Sequence, residues 1–225
     1  VKKGQNDALT TALLAAKTKF GWISHTWSHE DLDTASLKTI VDEINKNQTW
    51  ATANKAPMNP AELVTGGHTG LSNPVTPTAL ARTGVTRIAG DASVDPAARM
   101  LGQAIVVPRH PSPVYYNVGT KAEQLDEFNW IYQTDPWVPH PTSWNQYLDL
   151  SATQMLGFVV GNDPRPFFAH QANLAEEGVF YDVADELLVR YRAWFSVPTV
   201  QPTMTDAGTL LMQQAGWQSA LTAGQ

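Results

Sequence analysis

The chain reads as an α/β fold built on parallel strands. Short apolar runs end in polar, glycine-rich loops, and each loop is followed by a segment with helical apolar spacing. This strand, loop, helix unit recurs through the first half of the sequence. A hydrophobic content of 43% with only 16% charged residues suits a packed globular chain. The 225 residues are enough for one domain with a sizeable core or for two small ones; a single partial domain spanning 1–225 is expected, since no linker long enough to divide it stands out.

The elements follow in order. Residues 6–19 form a helix on the spacing of Leu9, Ala12, Leu13 and Ala16, stopped by Gly21. Residues 22–24 form a short buried strand running into His25. Asp33 or Thr34 caps the next helix, in which Leu37, Ile40, Val41 and Ile44 fall at i, i+3, i+4 and i+7. A strand over 61–65 ends in Gly66-Gly67-His68-Thr69-Gly70. A helix over 76–82 carries Pro77 in its first turn. A strand over 85–89 ends in Gly90-Asp91. Further strands are expected over 104–108 and 114–118, then a helix marked by Leu125, Phe128, Ile131 and Tyr132. A long helix follows over 144–160, closed by Gly161. A last strand over 166–169 ends at His170. Val183, Leu187, Tyr191 and Trp194 mark the next helix, and Thr205 and Asp206 open a final one.

Composition excludes several classes of function. A net charge of -6 with scattered Lys and Arg offers no basic stripe for a phosphate backbone, so no nucleic-acid partner is expected. Cys is absent, which removes thiolate metal sites and Cys nucleophiles. No run of about 18 apolar residues predicts a membrane span. Gly-x-Ser-x-Gly, phosphate-cradling and dinucleotide-binding glycine motifs are all missing. Low Lys with abundant Thr, Asn, Gln and Trp points to an extracellular or cell-surface setting. The chain opens on Val1 rather than Met, which reads as a processed or excised segment.

The chemistry-bearing residues gather at strand ends, where parallel sheets bind their ligands. His25 and His29 lie four apart in a strand-end loop, and a tight bend there would aim both imidazoles at one ion. The alternative is a hydrogen-bonded loop with Thr26 and Ser28 as partners. His170 can donate a proton to a leaving group or simply end a strand. Asp91 can orient that histidine or cap a turn. Arg109, stiffened by Pro108 and Pro111, can clamp a carboxylate or form a surface ion pair. His68 is either a substrate contact or a flexible loop residue. Tyr115 and Tyr116 alternate on their expected strand, so only one can face a cleft. Trp27 and Trp137 are candidate sugar platforms, although most tryptophans are core residues.

Three motifs carry a resemblance. His25-Thr26-Trp27-Ser28-His29 resembles the His-Ser/Thr-x-x-His metal motif of the polysaccharide deacetylases, the NodB-homology group. Phe168-Ala169-His170 resembles their later Leu-x-His motif, with Phe for Leu. The sequences Phe20-Gly21-Trp22-Ile23-Ser24, Pro108-Arg109-His110-Pro111, Tyr115-Tyr116-Asn117-Val118 and His170-Gln171-Ala172-Asn173-Leu174 are similar to the galactosaminogalactan deacetylase-like carbohydrate esterase subgroup.

The resemblance implies a distorted (β/α) barrel and metal-dependent hydrolysis of N-acetyl groups on amino-sugar polymers. His25 and His29 would bind a divalent ion, zinc above all, whose bound water is the nucleophile. His170 would protonate the departing amine. Asp91 would stand behind that histidine, and Arg109 would serve for the family's arginine. His68, Trp27, Tyr115 and Tyr116 would meet an N-acetylated polysaccharide, and the protein would be secreted. The family begins with a strand bearing two aspartates, whereas Asp7 is the only acidic residue before His25. The chain is therefore expected to start after the first strands and, alone, to lack the base and the third ligand. The alternative reading is a non-catalytic carbohydrate-binding domain on a degenerate deacetylase scaffold.

Overall fold

The structure, a computed structural model, describes residues 7–224. Asn6 and Val1, on which two sequence expectations fall, lie outside the described residues. The chain forms two compact units. One comprises the described residues up to Pro108 together with those from Thr203 onward; the other is Arg109–Pro202.

The first unit holds α1 (Ala8–Ala15), β1 (Trp22–Ser24), α2 (Leu37–Asn54), β2 (Met58–Leu63), α3 (Thr76–Thr83), β3 (Arg87–Asp91), β4 (Arg99–Leu101) and the start of β5 (Ala104–Pro111). Its C-terminal segment is one helix, Met204–Thr222. β1 pairs parallel with β2, and β2 parallel with β3. β3 also neighbours β5, on which β4 folds back antiparallel. The expected strand, loop, helix repeat is thus present. β4 is an addition that sequence spacing did not mark: Gly102, at φ +63°, makes the tight turn into β5.

The core of this unit lies between the parallel strands and α2 and α3. Ile40 and Ile44 of α2 pack with Ala79 and Leu80 of α3 and with Leu63 and Ile88 of the sheet. A second cluster joins Ala89 and Val107 to Met204, Ala207 and Leu211 of the C-terminal helix. Glu62, buried in β2, accepts from the Thr205 backbone N–H and hydroxyl, each at 2.7 Å. A carboxylate there satisfies orphan donors in the first turn of the C-terminal helix.

Three local expectations are corrected. β1 is only partly buried: Ser24 is buried, but Ile23 and the preceding Phe20 are exposed, because β1 lies at the end of the strand order among the described residues. The cap of α2 is Ser36, whose side chain accepts from Thr39 N–H. Asp33 is otherwise engaged, its carboxylate accepting from Gly70 N–H at 2.7 Å. α1 stops at Ala15 and none of its residues is fully buried; Leu9 and Leu13 of its apolar stripe are exposed.

The second unit contains α4 (Lys121–Ile131), α5 (Trp144–Val160), β6 (Phe167–Phe168) and α6 (Val179–Trp194). α4 and α5 each open on a capping box, Thr120 with Glu123 and Ser143 with Gln146. Their apolar faces meet α6 around the buried Tyr147, Met155, Val179 and Val183. β6 pairs parallel with the end of β5, His110 opposite Phe167 and Pro111 opposite Phe168. Residues 114–118 are a turn, not the expected strand. Several of their backbone groups bond to side chains, and the N–H groups of Val114 and Val118 to nearby carbonyls, instead of to a ladder. Tyr115 N–H donates to Gln124 Oε1, and the carbonyls of Tyr115 and Val118 both accept from Asn173 Nδ2. No helix among the described residues is long and apolar enough to cross a membrane.

Candidate functional site

β1, β2 and β3 run parallel and side by side, so their carboxyl ends share one rim of the first unit. His25 follows β1, His68 follows β2, and Asp91 ends β3. The rings of His25 and His29 stand edge to face with centroids 4.9 Å apart. His25 Nδ1 lies 3.1 Å from the Val64 carbonyl. In the tautomer that donates from Nδ1, the lone pair resides on Nε2, the arrangement usual for a metal-ligating imidazole.

The bend that joins the two rings is held by unusual backbone. Thr26 at φ 60° and His29 at φ 58° both occupy the left-handed region. A non-glycine residue there costs about 1–2 kcal/mol, and such conformations persist where surroundings over-determine them. α2 supplies those surroundings. Glu43, buried at 3% exposure, accepts from Trp27 N–H at 2.9 Å, Ser28 N–H at 2.7 Å and the Ser28 hydroxyl at 2.9 Å. One turn on, Asn47 Nδ2 donates to the Thr26 carbonyl and to Ser24 Oγ. Trp27, held by its backbone, leaves its ring half exposed.

The loop after β2 completes the seat. A Cβ placed on Gly66 would lie 2.7 Å from His29 Nδ1, so the absence of a side chain there lets the imidazole rest against the backbone. His68, at φ 58°, places Nδ1 3.4 Å from Asp91 Oδ2. Asp91 Oδ1 meanwhile caps its own turn, accepting from the Ser93 N–H and hydroxyl. The Gly66–Gly70 loop is tied down: Leu32 N–H donates to Thr69 Oγ1, and Asn73 Nδ2 to the carbonyls of Leu32 and Ala35. His68 is thus a fixed side chain facing a carboxylate.

Arg109, Tyr115, Tyr116 and His170 belong to the second unit. Arg109 lies over the Phe168 ring, 4.7 Å from its centroid. His170 is exposed just past β6, with Phe168 and Tyr116 edge-on to its ring at 5.8 and 5.9 Å. Its backbone N–H donates to Oδ1 of the fully buried Asn173. That one amide therefore fixes the His170 segment and the Tyr115–Val118 turn together. Tyr115 packs against the core, and burial pushes its hydroxyl up to about 12, with help from the nearby Tyr132 and Glu127. It stays protonated at neutral pH and can only donate or accept hydrogen bonds. Tyr116 is the exposed member of the pair.

Beside Arg109, His110 Nε2 lies 2.8 Å from Asp163 Oδ2, which Arg165 also contacts at 2.7 Å. The His110 ring stacks on Phe158 at 3.7 Å. Burial pushes the Asp163 carboxyl up, but hydrogen bonds from the Arg165 backbone, His110 and the Arg165 guanidinium outweigh it and hold the group below the usual aspartate range.

Neutral imidazole nitrogens suit zinc and similar divalent ions, and the His25–His29 pair fits two positions of such a site. Among the described residues no group of three or more His, Cys, Asp and Glu side chains is placed to hold an ion. Glu43, Asn47, Gly66 and Asn173 were not singled out as site residues from sequence. Glu43 and Asn47 did leave a signal: they fall at i+3 and i+7 from Ile40, on or beside the buried stripe of α2, where a carboxylate needs a partner.

Residues 4–99 match the family model described as the Agd3 deacetylase domain. Among solved structures, the chain is similar to one described as "Crystal structure of Agd3 a novel carbohydrate deacetylase". The TM-score is 0.80 at 21% identity, over 92% of this chain and 35% of that one. The chain thus spans about a third of that protein's length, and the likeness is one of fold, a partial (β/α) barrel. No curated protein sequence matches the chain. The family match covers residues 4–99, less than half of the 225-residue chain, and is a likeness of that segment to the Agd3 deacetylase domain.

Proposed function

We propose that the protein carrying this chain hydrolyses N-acetyl groups on amino-sugar polymers outside the cell. His25 and His29 serve as ligands of a divalent ion, zinc being the expected one, and His170 as general acid. The observation that carries the reading is the His25–His29 pair, two imidazoles 4.9 Å apart at the carboxyl rim of parallel strands, with Nδ1 of His25 set against a carbonyl. The ion supplies polarisation of the acetamide carbonyl and a lowered pKa for water.

The chain's own residues do the rest. His170 presents an exposed imidazole, a side chain able to donate a proton to a leaving amine. Arg109, aligned over Phe168, offers a fixed cation for a carboxylate or a developing oxyanion. Asp91 orients His68 for contact with substrate. Tyr116 and Trp27 present exposed aromatic faces on which sugar rings stack.

The test is acetate release from N-acetylated galactosamine and glucosamine oligomers by the protein that carries this chain. His170→Ala is expected to lower the rate by at least about a hundredfold, the usual contribution of a general acid. Wild-type rates in that variant, with zinc still bound, would remove the assigned role. Oligomer binding with no acetate release by the native protein would leave a sugar-binding module in place of an enzyme.

A further inference from the structure

We infer that Glu43, assisted by Asn47, is the positioning residue of the His25–His29 pair: its carboxylate sets the backbone of the bend, and the bend sets the facing of the two rings. The inference rests on the metal-ligand reading of that pair.

Two features of the bend would otherwise work against it. Thr26 and His29 both hold left-handed backbone, and neither is the glycine that conformation favours. Between them, the consecutive N–H groups of Trp27 and Ser28 point the same way, into the molecule. Both donate to one oxygen, Glu43 Oε2, while Oε1 takes the Ser28 hydroxyl. A single buried carboxylate thus accepts three donors from two adjacent residues. Asn47 fixes the other side by donating to the carbonyl of Thr26 and to Ser24 at the end of β1.

Both positioning residues stand on one helix, whose neighbouring side chains Ile40 and Ile44 are fully buried. The helix is therefore a rigid base, and the loop copies its position. Glu43 is not placed to be a ligand itself: three hydrogen bonds occupy its two oxygens, whereas His25 and His29 bring two imidazole rings edge to face 4.9 Å apart. The arrangement also accounts for the residue types between the histidines. Ser28 supplies a hydroxyl donor, and Trp27 needs only its N–H for the bend, which leaves its ring outward.

Chemistry separates positioning from charge. Gln at position 43 keeps an acceptor at the Oε2 position for both backbone N–H groups and can donate to the Ser28 hydroxyl. Ala removes all three bonds. If position is what matters, Glu43→Gln should behave nearly as the native chain, and Glu43→Ala should not.

The experiment measures two quantities on the 225-residue chain: amide exchange at Trp27 and Ser28, and zinc affinity by competition with a chromophoric chelator. In Glu43→Ala the two amides are expected to exchange at least about tenfold faster, and zinc affinity to fall about 10- to 100-fold, as for lost partners of metal ligands. Glu43→Gln should stay within about threefold on both. Should Glu43→Ala fail to fold, Ser28→Ala removes one of the three bonds and is expected to weaken zinc by a smaller but measurable factor, about two- to fivefold. Ile44→Ala, a core change on the same helix, should lower the melting temperature and leave zinc affinity within about twofold. Unchanged zinc affinity in a folded Glu43→Ala chain, or an equal loss in Ile44→Ala, would overturn the inference. If the native chain and His25→Ala bind zinc equally poorly, it is the metal reading that fails; unaltered amide exchange in Glu43→Ala would then overturn the positioning role independently.

Discussion

Gly66→Ala offers the sharpest test of how the His25–His29 pair is seated. A Cβ at this position would lie 2.7 Å from Nδ1 of His29 and 2.9 Å from both Cε1 and Cγ. Carbon contacts reach their optimum near 3.5–4.0 Å, so the ring must retreat by roughly 1 Å. Metal–nitrogen distances tolerate only about 0.2 Å. The substitution is therefore expected to act on ion binding far more than its size suggests. Zinc affinity should fall about 10- to 100-fold, as when the support of a ligand is lost. Overpacking should also destabilise the fold by about 1–3 kcal/mol.

A double-mutant cycle isolates the cause. In a His29→Ala background the obstructing ring is gone, so Gly66→Ala should cost close to nothing or stabilise slightly by restricting the unfolded chain. Chemical denaturation of the four variants measures the coupling, which is expected to be about 1–3 kcal/mol. An equal cost of Gly66→Ala with and without His29 would refute the claim that the imidazole rests on the Gly66 backbone.

Three further outcomes follow from other parts of the molecule. Asn173→Ala leaves buried groups of the His170, Tyr115 and Val118 backbones without their amide partner, and should lower stability by about 2–4 kcal/mol in denaturant unfolding. Asp163 is held below its ordinary value, so its contribution to stability is complete above 3.8 and is lost as pH falls through its folded-state value; Asp163→Asn should flatten that acid limb of an unfolding-versus-pH curve. Lys55 ends α2 in left-handed backbone at φ 52°, so Lys55→Gly should raise stability by about 0.5–1 kcal/mol, read as an increased melting temperature.

Features that depend on neighbours along the chain were legible without the folded structure. The α5 helix, expected over 144–160 with Gly161 closing it, follows from local signals that act within about one turn. His25, His29, His68 and Asp91 were legible as a group because parallel strands deliver their following residues to one rim, whichever strands turn out to be adjacent. Tertiary structure decided what depends on competition between distant groups. Asp33 has a cap's chemistry, yet Gly70 N–H, from 37 residues away, claims its carboxylate and the helix begins at Ser36. Residues 114–118 have strand composition, yet Gln124 and Asn173 take the backbone groups that a ladder would need. Glu43 and Gly66 gained their roles only when α2 and the loop after β2 were brought against the bend. A hydrogen bond or a van der Waals contact is decided over a few ångströms in space, and only the folded chain brings residues so far apart in sequence to that range.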